Sequence, residues 1–306
     1  MTARTVCAVI ATYRPDSQAL QRVVDAIDGK VGRIAVVDDG SGDRAPGPIR
    51  GRISAVDVLR QPCNRGIAAA HNRGIEFARR AACSHVLLLD QDSVPEAGMI
   101  ECLGDAMERL QGSGIRVAAV GARFRASETA TASQFTVIGG IAVRRVACRS
   151  DADLIRTDFL LASGTLIPLS VLDDVGGMEE PLFIDHVDTE WCLRAKSRGY
   201  SLFGACGAML HHQWGISSRR VWLGRWRTIH RHKPFRYYYM FRNTLLLLGR
   251  PYAPLRWVLY EIWRLCGLLV FVGLLGGGIG TDLPMMLKGL AHGIRRITGR
   301  LEAPRP

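Results

Sequence analysis

Val86-Leu87-Leu88-Leu89-Asp90-Gln91-Asp92 is an apolar run that stops on two carboxylates two residues apart. Four consecutive aliphatic side chains read as a strand buried on both faces, as in a parallel sheet. The same pattern recurs outward from it in Val6–Ala11, Arg33–Val37, Ala55–Leu59 and Val117–Gly121. Ser17–Ile27 and Ile67–Ala82 lie between these runs and read as helices. Strands alternating with helices predict an α/β sheet with crossover connections. Polar residues gather at the strand exits, in Thr12-Tyr13, Asp38-Asp39-Gly40-Ser41, Asn64-Arg65-Gly66 and Asp90-Gln91-Asp92. Open α/β sheets bind ligands outside the carboxyl ends of their strands, so the four clusters are predicted to line one crevice.

Further along, Gln134–Val143 and Asp158–Ala162 read as strands, which adds antiparallel pairing to the sheet. A glycine-rich link at 174–178 leads to an acidic helix, Asp185–Gly199, and a strand, Leu202–Leu210, that ends at His211-His212. Beyond Gly215 the composition changes: an Arg/Trp/Tyr-rich segment runs to Arg250, an apolar one to Gly280, and a basic helix covers Leu283–Arg300. Residues 1–215 are therefore expected to form one domain and residues 216–306 a basic, amphipathic helical module.

The charge divides at nearly the same place. Of the 40 Lys+Arg and 28 Asp+Glu in 306 residues, the first 210 carry 24 and 25, and the remainder 16 and 3. With 48% hydrophobic and 22% charged residues the chain can bury a core, which excludes wholesale disorder and collagen-like or low-complexity classes. Eight scattered cysteines contain no Cys-x-x-Cys pair, so a reducing compartment is expected, with neither a disulfide framework nor structural zinc. Val6–Ala11 is too short for the core of a signal peptide, which predicts a cytosolic chain. Leu265–Thr281 is uncharged but holds six glycines and falls short of the about 20 apolar residues a spanning helix needs. It is expected to be monotopic or buried rather than transmembrane.

Each cluster has a chemical reading and a plain one. Two carboxylates after an apolar strand can hold a hard divalent cation that neutralises a diphosphate, or they can form a solvated turn. Asp38 or Asp39 can accept the imide N–H of a uracil or thymine ring, or cap a turn. Asn64-Arg65-Gly66 opens a helix whose free N–H groups favour phosphate, while Ala70 and Gly74 also suit close helix–sheet packing. In Asp185-His186-Val187-Asp188-Thr189-Glu190-Trp191-Cys192-Leu193-Arg194, capping accounts for Asp185 at the start of the acidic helix. Asp188 at the same mouth can act as general base on a hydroxyl. One of His211 and His212, the second by preference, can be a third metal ligand.

Taken in order, Ala11-Thr12-Tyr13, Val37-Asp38-Asp39-Gly40-Ser41, Asn64-x-Gly66, Ala70-x-Asn72-x-Gly74, Leu89-Asp90-Gln91-Asp92-Ser93, Gly164-Thr165-Leu166-Ile167, Asp188-Thr189-Glu190-Trp191-Cys192-Leu193-Arg194 and His212 resemble family 2 inverting glycosyltransferases. Within these the chain is most similar to bacterial rhamnosyltransferases of O-antigen and cell-surface polysaccharide synthesis. The resemblance spans roughly residues 5–245 and takes in Arg236-Tyr237-Tyr238-Tyr239-Met240-Phe241-Arg242-Asn243. It implies a GT-A fold, a Rossmann-like mixed α/β sheet with helices on both faces. The donor side would comprise Thr12, Tyr13, Asp38, Asp39, Asn64, Gly66, Asn72, Asp90 and Gln91. Asp92, Asp90 and His212 would bind Mg2+ or Mn2+, and Asp188, with Asp185 as the alternative, would be the base. Glu190, Trp191, Trp214 and Arg242 would face the acceptor. The family commonly has an acidic residue directly before the catalytic one; here Val187 stands there.

The implied reaction moves a sugar, L-rhamnose from dTDP-rhamnose, onto a lipid-linked or lipopolysaccharide glycan. UDP-linked galactofuranose, glucose or N-acetylglucosamine is the alternative donor. The basic module carries Arg219, Arg220, Arg225, Arg227, Arg231 and Arg236 among Trp214, Trp222, Trp226 and Tyr237–Tyr239. Arginine with aromatics suits single-stranded nucleic acid or an anionic membrane. The apolar stretch that follows, and a last helix with Leu283, Met286, Leu287, Leu290, Ile294 and Ile297 set against Lys288, Arg295, Arg296 and Arg300, favour the membrane. The chain is expected at the inner face of the cell membrane, peripherally bound, with no nucleic-acid partner.

Overall fold

Residues 5–125, 132–139, 142–212, 218–222, 226–230, 232–274 and 279–302 are described by the computed structural model. The chain divides into two units, one of residues 1–183, 187–212 and 299–306, the other of 184–186 and 213–298. The first unit runs β1 (Val6–Thr12), α1 (Ser17–Ile27), β2 (Arg33–Asp38), β3 (Val56–Arg60), α2 (Ile67–Arg80), β4 (His85–Asp90) and β5 (Ser93–Pro95). It continues with α3 (Met99–Gly112), β6 (Val117–Arg125), β7 (Phe135–Gly139), β8 (Ala142–Val146), β9 (Leu154–Thr157) and β10 (Thr165–Pro168). α4 (Leu169–Val175), α5 (Val187–Ser197) and β11 (Ser201–His212) complete it.

Among the described residues these strands build a nine-stranded sheet in the order β3-β2-β1-β4-β10-β6-β11-β5, with β9 paired to β11. β1 pairs in parallel with β2 and β4, and β6 with β11, whereas β10 runs antiparallel to both β4 and β6. This is the mixed α/β sheet that the alternating pattern predicts. Alternation of side chains along each strand sends Ala8, Ile10, Ile34, Val36, Leu87 and Leu89 to one face. There they pack with Leu20, Val23, Val24 and Ile27 of α1 and with Met99, Leu103 and Met107 of α3. α2 takes the opposite face, where a Cβ on Gly74 would lie 2.1 Å from Val9 Cγ1, so the helix can seat only with glycine there. α1 begins where the Asp16 carboxylate accepts the Ala19 N–H at 2.8 Å, an N-cap worth about 1 kcal/mol.

Several expectations need correction. Gln134–Val143 is two strands, β7 and β8, paired as an antiparallel hairpin. Asp158–Ala162 is not a strand. Asp158 instead turns its carboxylate onto the Ile138 N–H and Lys196, and pairing passes to β9 and β10. α3 escapes a sequence reading because its N-cap is Gly98 in the left-handed region, with no capping side chain to announce it. Cys148 and Cys206, with Cα atoms 5.8 Å apart, form a disulfide, against the expectation of a chain without such bridges. Their separation of 58 residues gives no spacing signal, since the chain just after β8 meets β11 only in the fold.

Among the described residues the second unit holds an antiparallel hairpin, β12 (Ser218–Trp222) with β13 (Trp226–His230), and three helices: α6 (Pro234–Leu248), α7 (Leu255–Leu274) and α8 (Asp282–Ile294). Tyr237, Phe241, Leu265, Val272 and Met286 form its core. Gly289 and Gly293 let α8 approach α6, since a Cβ at Gly289 would stand 2.4 Å from the Tyr238 carbonyl oxygen. Among the described residues, no helix is long and apolar enough to cross a membrane.

Candidate active site

β1 lies between β2 and β4, so the chain leaves it to one side for β2 and β3 and returns on its other side for β4. Such a switch point opens a crevice at the carboxyl ends of the strands. The register sets Thr12 beside Asp38 and Ala11 beside Asp90, which brings three of the four predicted clusters together. Side chains then tie the strand exits to one another. The Gln91 side-chain carbonyl accepts the Tyr13 N–H at 2.8 Å, joining the ends of β4 and β1. Ser41 donates its hydroxyl to buried Asp38 and accepts the Arg14 N–H at 2.7 Å. The Asp90 N–H donates to the Ser163 hydroxyl at 3.0 Å. Ser163 carries no signal in the sequence, and Ser41, though part of a predicted cluster, acts through hydrogen bonds that only the folded loops create.

Asp39 has a different task from its neighbour. One carboxylate oxygen accepts the Arg65 N–H and the other the Gly66 N–H, both at 2.8 Å, which fixes the loop that opens α2. Burial pushes its carboxyl up to about 6 against the lowering effect of those two N–H bonds. Gly66 is obligatory at φ 94°, and a Cβ there would meet the Phe183 carbonyl oxygen at 2.3 Å. Asn64 keeps a buried Oδ1 with no hydrogen-bond partner, as a residue waiting on a ligand would. Asn72, expected at the donor, is engaged elsewhere: its amide donates to Met178 O and Glu180 and accepts the Met178 N–H.

Around α5 the acidic residues separate into distinct roles. The helix begins at Val187 rather than Asp185, and Asp188 lies in its first turn. Asp185 sits outside the helix at φ 62° and is not its cap, and both its oxygens face the Arg236 guanidinium. Glu190 is 0% exposed and is forked by Arg194 at 2.7 and 2.8 Å. Arg194 also donates to the carbonyls of Val175 and Gly177, and Trp191 Nε1 donates to Gly176 O at 2.9 Å. Glu190 and Trp191, expected on the acceptor side, thus hold the glycine-rich link. Arg242, also expected there, is fully buried and lies over the Tyr238 and Tyr239 rings. Asp188 is half-buried, and its Oδ1 accepts the Thr189 N–H at 2.7 Å. It lines a small apolar pocket with Leu88, Leu160, Leu161, Ala162 and Trp191. Leu88 is two residues from Asp90, and Ala162 precedes the serine bonded to it, so Asp188 and the β4 exit share one locality.

For a metal, Asp90 and Asp92 supply half-buried oxygen donors at the β4–β5 turn. β5 pairs with β11 so that Ser93, next to Asp92, stands opposite His212. His211 is not the third ligand on this geometry, because its imidazole lies 2.8 Å from Glu96. The His212 side chain and Trp214 lie outside the described residues, among which no three His, Cys, Asp or Glu side chains gather closely enough to hold an ion. Two carboxylates with an imidazole on the adjoining strand is a donor set that suits Mg2+ or Mn2+.

Residues 7–148 match the family model described as glycosyl transferase family 2. The chain is 27% identical over 261 residues to a dTDP-rhamnosyl transferase, RfbF, of Shigella flexneri, covering 84% of each chain. A crystal structure of GalNAc-T7 with UDP, GalNAc and Mn2+ superposes on 93% of this chain with a TM-score of 0.54 and 13% identity, a likeness of fold. This chain spans 59% of the length of that protein.

Proposed function

We propose that this chain, a glycosyltransferase of family 2, transfers L-rhamnose from dTDP-rhamnose with inversion onto a hydroxyl of a lipid-linked or lipopolysaccharide glycan. What supports the reading is Asp188, half-buried in a pocket it shares with Leu88 of β4, together with the switch point where Thr12, Asp38 and Asp90 end adjacent strands. The rhamnosyl part rests on the Shigella relative. Asp38, with Asn64, contacts the nucleotide; Asp90 meets the ribose or sugar. Asp188 removes the acceptor proton, the hydroxyl oxygen bonds to the anomeric carbon on the face opposite the leaving group, and the C–O bond to the diphosphate breaks. Asp185 and Glu190 are poorer candidates on geometry, since both oxygens of each accept from an arginine, Arg236 and Arg194 respectively. Asp90, Asp92 and His212 would hold a divalent cation, which supplies charge neutralisation at the departing diphosphate. Calorimetry with dTDP-rhamnose, UDP-glucose, UDP-galactofuranose and UDP-N-acetylglucosamine, with and without Mn2+, tests the donor. We expect dTDP-rhamnose to bind at least tenfold more tightly than the UDP-sugars; preference for a UDP-sugar would replace the donor, and no binding of any would remove the function.

The second unit fits an anionic membrane surface. α7 buries Trp257, Leu265 and Val272 yet leaves Leu255, Leu259, Ile262, Trp263 and Val270 exposed, a solvent-facing stripe at helical spacing. On α8, Leu287 and Ile294 are exposed with Lys288 among them, and Arg295 and Arg296 follow its last residue. Apolar side chains bordered by cations are the face of an interfacial helix. Leu259→Glu with Trp263→Glu is expected to weaken co-sedimentation with phosphatidylglycerol vesicles at least tenfold while leaving dTDP-rhamnose affinity within twofold. Unchanged sedimentation would assign the surface another role.

A further inference from the structure

β11 changes partners in its middle. On one edge its residues from Leu202 to Ala205 pair with β9, whereas Leu210, His211 and His212 pair with Pro95, Val94 and Ser93 of β5. On the other edge, pairing with β6 stops at Gly204 opposite Gly121 and resumes at Met209 opposite Arg123. Residues 205–208 thus stand against Ala122 alone, a bulge that interrupts the ladder and leaves the second half of the strand to be aimed by something else. The segment that follows β8 supplies the hold. Cys148 is bonded to Cys206 inside the bulge. The Asp153 carboxylate accepts the Arg149 N–H at 2.9 Å and the Ser150 N–H at 3.0 Å, which closes residues 149–153 into a turn. From that turn the Asp153 carbonyl accepts the Cys206 N–H at 3.0 Å, and a Cβ on Gly207 would lie 2.9 Å from the Asp151 carbonyl oxygen. Cys206 is 0% exposed, whereas Cys148 is half-buried.

We propose that Cys148–Cys206 is a redox modification site that reacts with a dithiol, and that its bond clamps the second half of β11 in register. A thiolate of the dithiol attacks Cys148 Sγ, the sulfur of the less buried residue; the S–S bond breaks, and Cys206 leaves as a thiolate that takes up a proton. The second thiol of the reagent, as its thiolate, then attacks the mixed disulfide and releases Cys148, which is protonated in turn. The dithiol is oxidised to a disulfide, and the cysteine pair gains two electrons and two protons. A covalent tie across 58 residues is then lost at the bulge, so the stretch from Met209 to His212 opens more readily from β5. Because that stretch ends at His212, divalent-cation binding would follow the redox state, a consequence that rests on the reading of His212 as a ligand.

The test compares the full chain prepared without reductant, the same chain in dithiothreitol, and Cys148→Ser. Alkylation in denaturant should label six cysteines before reduction and all eight after it. We expect amide hydrogen exchange over residues 205–212 to quicken at least tenfold in the reduced chain and in Cys148→Ser, with β1 within twofold of the oxidised chain, and reoxidation to restore protection. Mn2+ affinity of the complex with dTDP is expected to fall about fivefold in the same two samples. Unchanged exchange over 205–212 would overturn the proposal. So would an equal rise in β1, by marking a general stabiliser, or a label count of eight before reduction or of six after it. If Cys148→Ser does not fold, the reduced wild-type chain decides alone. Quickened exchange with unchanged Mn2+ affinity supports the clamp and removes His212 from the cation site, a separate failure.

Discussion

On the proposed reading, Asp188→Asn is expected to lower turnover of the nucleotide-sugar donor about a thousandfold, within the range general-base catalysis supplies, and to leave that donor bound as tightly as before. The amide keeps the size of the carboxylate and its bond from the Thr189 N–H, so the fold is expected to hold. Thermal unfolding should stay within ~2 °C of wild type. The neighbouring carboxylates give a contrast that makes the result interpretable. Glu190→Gln removes the fully buried charge opposite Arg194, and breaking a buried pair costs about 3–5 kcal/mol, so that variant is expected to lose activity together with stability. Asp185→Asn weakens the grip of Arg236 and should reduce turnover by a smaller factor. Equal activity in Asp188→Asn and wild type, or a larger loss in Asp185→Asn at unchanged stability, would move the base.

These contrasts mark how far the sequence could be read. Strands ending at Thr12, Asp38 and Asp90 are legible because four or more aliphatic residues in a row have few other uses, and polar residues after them must lie at one edge of the sheet. What a given polar residue does there is set by backbone that other segments supply. Asp38 and Asp39 are adjacent and chemically identical, yet the second is turned onto the N–H groups of Arg65 and Gly66. Asn72 lies in the same motif as Gly74 but bonds to a loop 106 residues away. The place of Asp185 at the head of an acidic helix predicts a cap, and nothing in the sequence announces left-handed φ values at two non-glycine residues in succession. Gly66 and Gly74 are more readable than the carboxylates, because close approach leaves few alternatives: each sits where a Cβ would overlap a neighbour.

Asp92→Asn is expected to abolish saturable Mn2+ binding by the complex with dTDP and to lower turnover by a thousandfold or more. The argument starts from charge. The chain to residue 210 carries 24 basic and 25 acidic residues, and the crevice edge bears Asp38, Asp90 and Asp92. A diphosphate brought to about 4 Å from a carboxylate is opposed by about 4 kcal/mol per pair of unit charges at an effective dielectric near 20. A dication held by Asp90, Asp92 and His212 would offset that repulsion, and because the leaving group gains charge as its bond breaks, the offset would grow toward the transition state. Removing one ligand of a hard cation lowers its occupancy most where few protein ligands are available, which is the ground for the effect expected of Asp92→Asn. Asp90→Asn should weaken Mn2+ binding by a similar factor and also donor affinity, whereas His211→Ala should alter neither, since that imidazole is engaged with Glu96. Full turnover in the presence of a chelator, with Asp92→Asn within threefold of wild type, would remove the cation from the reaction and leave the carboxylates to contact the ribose and sugar hydroxyls directly.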